Sequence, residues 1–155
     1  MKKKLTKEEK ELLIKDLLPR IPTDLLVKVP GEEEPKELKK RVRWMITFGR
    51  AKSIEDCLTG LIPYLRPFSD MTEEERKELN SIISKYFDGI EEGEEDDYLE
   101  WCLYDKTGIH NLVGGARFYF DEMVYVYDWL IQHHFDFRGL IEKGLAIKTE
   151  KGMYK

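Results

Sequence analysis

Two Thr-x-x-Glu boxes, Thr6-Lys-Glu-Glu9 and Thr72-Glu-Glu-Glu75, each precede an apolar set at helical spacing, and they restrict this chain more than any other feature. In such a box the threonine hydroxyl accepts from the amide three residues on, and the glutamate accepts from the threonine amide, so two otherwise unpaired donors are satisfied together. Leu5 and Met71 stand where a staple residue would precede each box. After the first box, Leu13, Ile14, Leu17 and Leu18 recur at helical spacing until Pro19 and Pro22 forbid continuation, which predicts a helix over roughly 7–18. After the second, Leu79, Ile82, Ile83, Tyr86 and Phe87 form one apolar stripe, and Asp88-Gly89 closes a helix over 73–87. Pro63 and Pro67 hold the intervening backbone extended.

Strand signals lie between and after these helices. Asp24–Val29 is rich in branched residues and ends in Pro30-Gly31, which suits a strand entering a turn. Over 41–48, Val42, Trp44, Ile46 and Phe48 alternate with Arg41, Arg43, Met45 and Thr47, which predicts a second strand whose apolar face carries Trp44 inward. The run 91–97 reads as an acidic solvated loop, because its carboxylates do not follow the offsets of a calcium loop. Tyr98–Tyr104 fits a strand or a helical turn, and Ala116–Met123 is likewise open between the two. Val124–His134 reads as helix, with Tyr119, Met123, Val126, Leu130 and His133 sharing a face if the helix reaches back that far. At 155 residues the chain has the length of one domain. The expected fold is a single α+β domain over 1–155: a small antiparallel sheet including 24–29 and 41–48, packed with about three helices on one face, with flexible ends at 1–5 and 150–155.

Charge is unevenly spread. Residues 1–50 carry a net +5, 51–110 a net −10 and 111–155 none, within a total of −5. A net-acidic chain must concentrate its basic groups to hold phosphate, and the one such concentration is Lys36, Lys39, Lys40, Arg41 and Arg43. These five are the candidate nucleic-acid-binding residues; otherwise they decorate an exposed strand and discourage strand addition. The basic start Met-Lys-Lys-Lys is followed by charged residues where an export signal needs an apolar core, so the expected compartment is the cytoplasm. The densest apolar stretch, Met123–Ile131, is interrupted by Asp128 and is too short to span a bilayer, so no membrane is expected. Cys57 and Cys102 form no Cys-x-x-Cys pair and read as free thiols.

Chemistry concentrates in one place: His133, His134, Asp136 and Arg138, a candidate functional cluster after the last helix. A metal-dependent hydrolase would draw zinc ligands from His133, His134 and Asp136. Adjacent helical residues diverge by about 100°, however, so two neighbouring histidines cannot aim at one ion unless the helix has unwound. Histidines at a helix end also bond its last carbonyls, and Arg138 behind Asp136 suggests an ion pair that fixes the following loop. No nucleophile elbow, Walker loop or dinucleotide fingerprint is present. The reading therefore assigns no catalytic residue, metal or cofactor, and leans toward a non-enzymatic protein-interaction module.

The segments Tyr64-Leu-Arg-Pro-Phe-Ser-Asp-Met-Thr-Glu-Glu-Glu75 and Asp128-Trp-Leu-Ile-Gln-His-His-Phe-Asp-Phe-Arg-Gly-Leu-Ile-Glu-Lys-Gly-Leu-Ala146, with the Thr-x-Glu-Glu helix at 6–18, resemble a family of small proteins without assigned activity, met in gut anaerobes and their phages or mobile elements. The family commonly has Met-Ser-Ser-Met in place of Phe68–Met71 and Asn-Ala in place of Ile131-Gln132. The resemblance implies a mobile-element origin, and no site residues travel with it.

Overall fold

The computed structural model describes residues 4–86 and 120–154. They belong to two compact units, one formed by the chain up to Pro67 together with His134 onward, the other by Phe68–His133. The readings for Phe87 and Asp88-Gly89, for 91–97, 98–104 and 116–119, and for Cys102 lie outside the described residues.

In the first unit, α1 (Lys7–Leu17) begins at a Thr6 N-cap whose box is complete: the Glu9 amide donates to Thr6 Oγ1 at 3.1 Å and the Thr6 amide to Glu9 Oε2 at 2.8 Å. Pro19 allows only a short 3-10 turn, Leu18–Arg20, beyond it. β1 (Leu26–Lys28) follows and leaves through Pro30-Gly31, where Gly31 takes φ 84° and the Glu32 amide closes the turn on the Val29 carbonyl at 3.1 Å. β2 is the two-residue Lys36–Glu37, antiparallel to β1.

Leu38–Thr47 is a helix, α2, where a strand over 41–48 is expected from the alternation. Leu38 and Val42 are buried and Met45 packs against the same core, a spacing of four and three that only a helix places on one face. Trp44, Ile46 and Phe48 are exposed, so the alternation that suggested a buried strand face is coincidental. Gly49 at φ 61° ends the helix: its amide reaches the Ile46 carbonyl at 3.2 Å and the Arg50 amide reaches Met45 at 2.8 Å, the paired bonds of a Schellman motif. α3 (Ile54–Leu58) is capped by Ser53, whose hydroxyl accepts from the Asp56 amide.

β3 (Ile62–Leu65) runs antiparallel to β1, and β4 (Ile147–Lys148) returns from the far end of the chain parallel to β3. The sheet order is β2-β1-β3-β4. The α+β class holds, but the sheet is mixed, because β4 pairs parallel to β3 instead of closing an antiparallel set. One core cluster joins Leu13 and Leu17 of α1, Leu25, Val27 and Val29 around β1, Leu38 and Val42 of α2, Cys57 and Leu58 of α3, and Leu61 and Leu65 around β3. Burial of Leu25, Val27 and Val29 at every second residue shows that β1 turns one face to this core.

The second unit contains α4 (Glu73–Tyr86) and α5 (Phe120–Gln132), which pack on each other. The α4 box forms as the sequence predicts, with the Glu75 amide on Thr72 Oγ1 at 3.2 Å and the Thr72 amide on Glu75 Oε2 at 3.0 Å. Leu79 is fully buried. α5 is helical from Phe120, which places 120–123, left open between helix and strand, in the helix.

Candidate functional site

The candidate cluster begins where α5 ends. His133 folds back on its own helix: its backbone amide and its Nδ1–H both donate to the Trp129 carbonyl, the ring bond at 2.9 Å, and the imidazole stacks on the Trp129 ring at 4.0 Å between centroids. A carbonyl only accepts, so that bond fixes the proton on Nδ1.

His134 is the one non-glycine residue with positive φ among those described, at 64°. Histidine is among the residues that tolerate this region, at about 1 kcal/mol. The turn sends the backbone alongside the end of β3: the Arg66 amide donates to the His134 carbonyl at 2.8 Å and the Asp136 amide to the Arg66 carbonyl at 2.9 Å. The buried imidazole then stacks on Tyr154 at 4.0 Å, and Nε2 lies 2.7 Å from Asp24 Oδ1. Burial is the largest influence on this ring and lowers its pKa to about 4; Asp24 opposes the shift, while Arg20 and Arg66 add to it. The Asp24 carboxylate is largely solvated, which weakens its field on the ring. Neutral His134 thus donates through Nε2–H.

Tyr154 belongs to the 150–155 end expected to be flexible, yet it is tied into the sheet. Leu26 and Tyr64 continue the β1–β3 register, but they do not bond directly. The Leu26 amide donates to the Tyr154 hydroxyl at 2.8 Å, and that hydroxyl donates to the Tyr64 carbonyl at 2.9 Å. A phenol is therefore inserted as one rung of the ladder, and burial pushes its pKa far up. Tyr154→Phe is expected to lose about 2 kcal/mol of stability, because a backbone donor and acceptor are left facing a ring edge. Urea unfolding measures the loss, and an unchanged midpoint would contradict the role of the relay.

Asp136 does not pair with Arg138, contrary to the expectation from their spacing. Its two carboxylate oxygens accept from the amides of Leu140, at 2.8 Å, and Ile141, at 2.9 Å. The single helical turn that follows is closed by Gly144 at φ 72°, with the Gly144 amide on Ile141 and the Leu145 amide on Leu140. This second Schellman motif buries Leu140 and Leu145 in the core. Asp136→Ala is expected to destabilise by about 1–2 kcal/mol, the usual size for a lost cap, with Asp136→Asn milder in the same denaturation series.

Arg138 instead reaches Asp16, Nε to Oδ1 at 3.3 Å. Asp16 and Arg20, both fully buried, meet through two bonds at 3.1 and 3.2 Å, and Arg20 also donates to the Phe135 carbonyl at 2.8 Å. Arg20 stands four residues after Asp16, and the 3-10 turn at Leu18–Arg20 keeps the backbone helical enough for the two side chains to meet. Burial pushes the Asp16 carboxyl up, although Arg20 and Arg138 both oppose it. The sequence reading did not single out Asp16 or Arg20, whose network with Phe135 and Arg138 is closed from the far end of the chain.

The candidate residues therefore go to different partners: His133 to Trp129, His134 to Asp24 and Tyr154, Asp136 to two amides, Arg138 to Asp16. Among the described residues, no group of three or more His, Cys, Asp or Glu is placed to hold a metal ion. Cys57 is buried, its Sγ–H donates to the Ser53 carbonyl at 3.5 Å, and burial followed by Asp56 raises its pKa, which disfavours the nucleophilic thiolate. No described helix is long and apolar enough to cross a membrane.

The five basic candidates lie on β2 and α2. Lys36 and Arg41 approach Glu32 at 3.9 and 3.8 Å, and Lys40 approaches Glu37 at 3.3 Å; Lys39 and Arg43 point to solvent. The sequence reading turned Trp44 inward, but it is 44% exposed and Phe48 is 64% exposed. Four residues apart on one helix face, their rings lie 5.7 Å apart, with the Arg41 and Arg50 guanidinium groups 5.2 and 6.0 Å from the Trp44 ring. This exposed aromatic and basic face is one that the strand reading concealed; Gly49, one residue past Phe48, was the signal for a helix end. Comparison of the chain with models of protein families, with curated proteins and with solved structures finds no match.

Proposed function

We propose that the protein is a non-enzymatic binding module that works by direct contact with a partner protein through the outer face of α2. One observation carries this reading: Trp44 and Phe48 pack ring against ring, tilted to each other, in solvent at the end of a helix whose opposite face, Leu38 and Val42, is already anchored in the core. Exposed tryptophan ringed by arginine is the composition that dominates binding energy at protein interfaces. The resemblance to mobile-element proteins suggests an accessory role in such an element. A photo-reactive phenylalanine at position 48 is expected to give a discrete protein adduct in a lysate of the native host, while the same group at exposed Lys15 gives none. The double variant Trp44→Ala/Phe48→Ala is expected to unfold within about 0.5 kcal/mol of the parent, since neither ring is in the core. Repeated absence of an adduct at position 48 would overturn the reading.

The same exposed Trp44 beside Arg41 and Arg50 favours a second reading, single-stranded nucleic-acid binding with Lys36, Lys39, Lys40, Arg41 and Arg43 along the backbone. Fluorescence anisotropy with mixed-sequence DNA and RNA at low salt tests it: no binding removes it, and salt-sensitive binding lost in Trp44→Ala supports it.

A further inference from the structure

The charge around the exposed aromatic pair narrows the partner. Between residues 36 and 52 the chain carries seven basic side chains and one acidic one, a net +6 within a protein of net −5. Lys39, Arg43, Arg50 and Lys52 are exposed on or just beyond α2. The pairs of Lys36, Lys40 and Arg41 with Glu32 and Glu37 are long or largely solvated, so they neutralise little of this field. From this complementarity we infer that the α2 face takes an acidic peptide segment carrying apolar anchors, whose carboxylates meet the arginines and lysines while its apolar side chains cover Trp44 and Phe48. The inference rests on the docking reading above and names the chemistry of the partner.

A nucleic acid fits the same face less well. Glu32 and Glu37, interleaved with the basic groups, would lie along a phosphate backbone and repel it. A short peptide places its carboxylates where cations are and neutral residues where they are not. The net-negative remainder of the molecule also opposes a long polyanion more than a short segment.

The test uses the full chain and three labelled probes: a synthetic peptide alternating glutamate pairs with leucine and tryptophan, the same peptide with every glutamate replaced by glutamine, and oligothymidylate. Expected is saturable binding of the acidic peptide, weakened about tenfold or more by the glutamine replacement, by the triple variant Arg41→Gln/Arg43→Gln/Arg50→Gln, and by raised salt. Circular dichroism and melting confirm that the triple variant folds, and Trp44→Ala, which leaves the arginines in place, must weaken binding as well. Equal binding of the glutamine peptide overturns the acidic partner, as does tighter binding of oligothymidylate or binding of no probe. If a position-48 adduct still forms in those cases, the docking reading survives and only the chemistry assigned to the partner falls.

Discussion

Replacing Arg20 by Met is expected to lower the unfolding free energy by about 3–5 kcal/mol, the range for breaking a buried ion pair from one side. Asp16 would keep its position with no solvent exposure and with Arg138, held at 3.3 Å, as its remaining cation, while the Phe135 carbonyl would lose its donor. For a chain of this size that is a fall of roughly 10 °C in Tm. Removing both partners is a different experiment. Asp16→Leu/Arg20→Met takes away the charge that burial already disfavours, as the raised Asp16 pKa shows, and is expected to recover most of the loss. Chemical denaturation of the two singles and the double decides it. A double variant as unstable as the worse single would mean that Arg20 acts through its bond to Phe135 and its packing on Phe137, 5.2 Å away, more than through Asp16.

The second large effect is on pH. His134 titrates at about 4 in the folded protein and near 6.5 when unfolded, so on acidification the unfolded state takes the proton first. Its contribution is complete above about pH 6.5, is lost as the pH falls from there toward 4, and changes no further below that; its size is about 3 kcal/mol. Asp16 acts in the opposite sense, because a carboxyl whose pKa is raised on folding favours the native state as acid is added. The net stability curve therefore mixes the two. Imidazole NMR isolates His134, with an expected midpoint near 4, and His134→Gln should flatten the difference in stability between pH 6.5 and 4.5. A midpoint at 6 or above would mean that the Asp24 bond outweighs burial and would overturn this pH dependence.

Legibility in the sequence followed the range of the interactions. α1 and α4 were readable because their signals are local: a threonine, a glutamate three residues on, and an apolar stripe behind them. α2 was misread because a window starting at Arg41 omits Leu38, the buried residue that turns Val42 and Met45 into a helical stripe. Without it, four apolar residues at alternate positions mimic a strand. β4 is two residues long and too short for any period to show. At the candidate cluster, nearness in sequence grouped His133, His134, Asp136 and Arg138 together, but the αL turn at His134 and the return of the chain along β3 assign their side chains to separate partners. Those partners, Asp16, Asp24 and Tyr154, are distant in sequence and carry no local mark.

The phenol rung also sets an order of events during synthesis. β1 and β3 can pair once Leu65 has left the ribosome, but the rung at Leu26 and Tyr64 waits for Tyr154, and the β3 edge waits for Ile147. All of Phe68–His133 must be made in that interval. A nascent chain stalled anywhere within it displays an unpaired β3 edge, the kind of surface on which chaperones act and neighbouring chains aggregate.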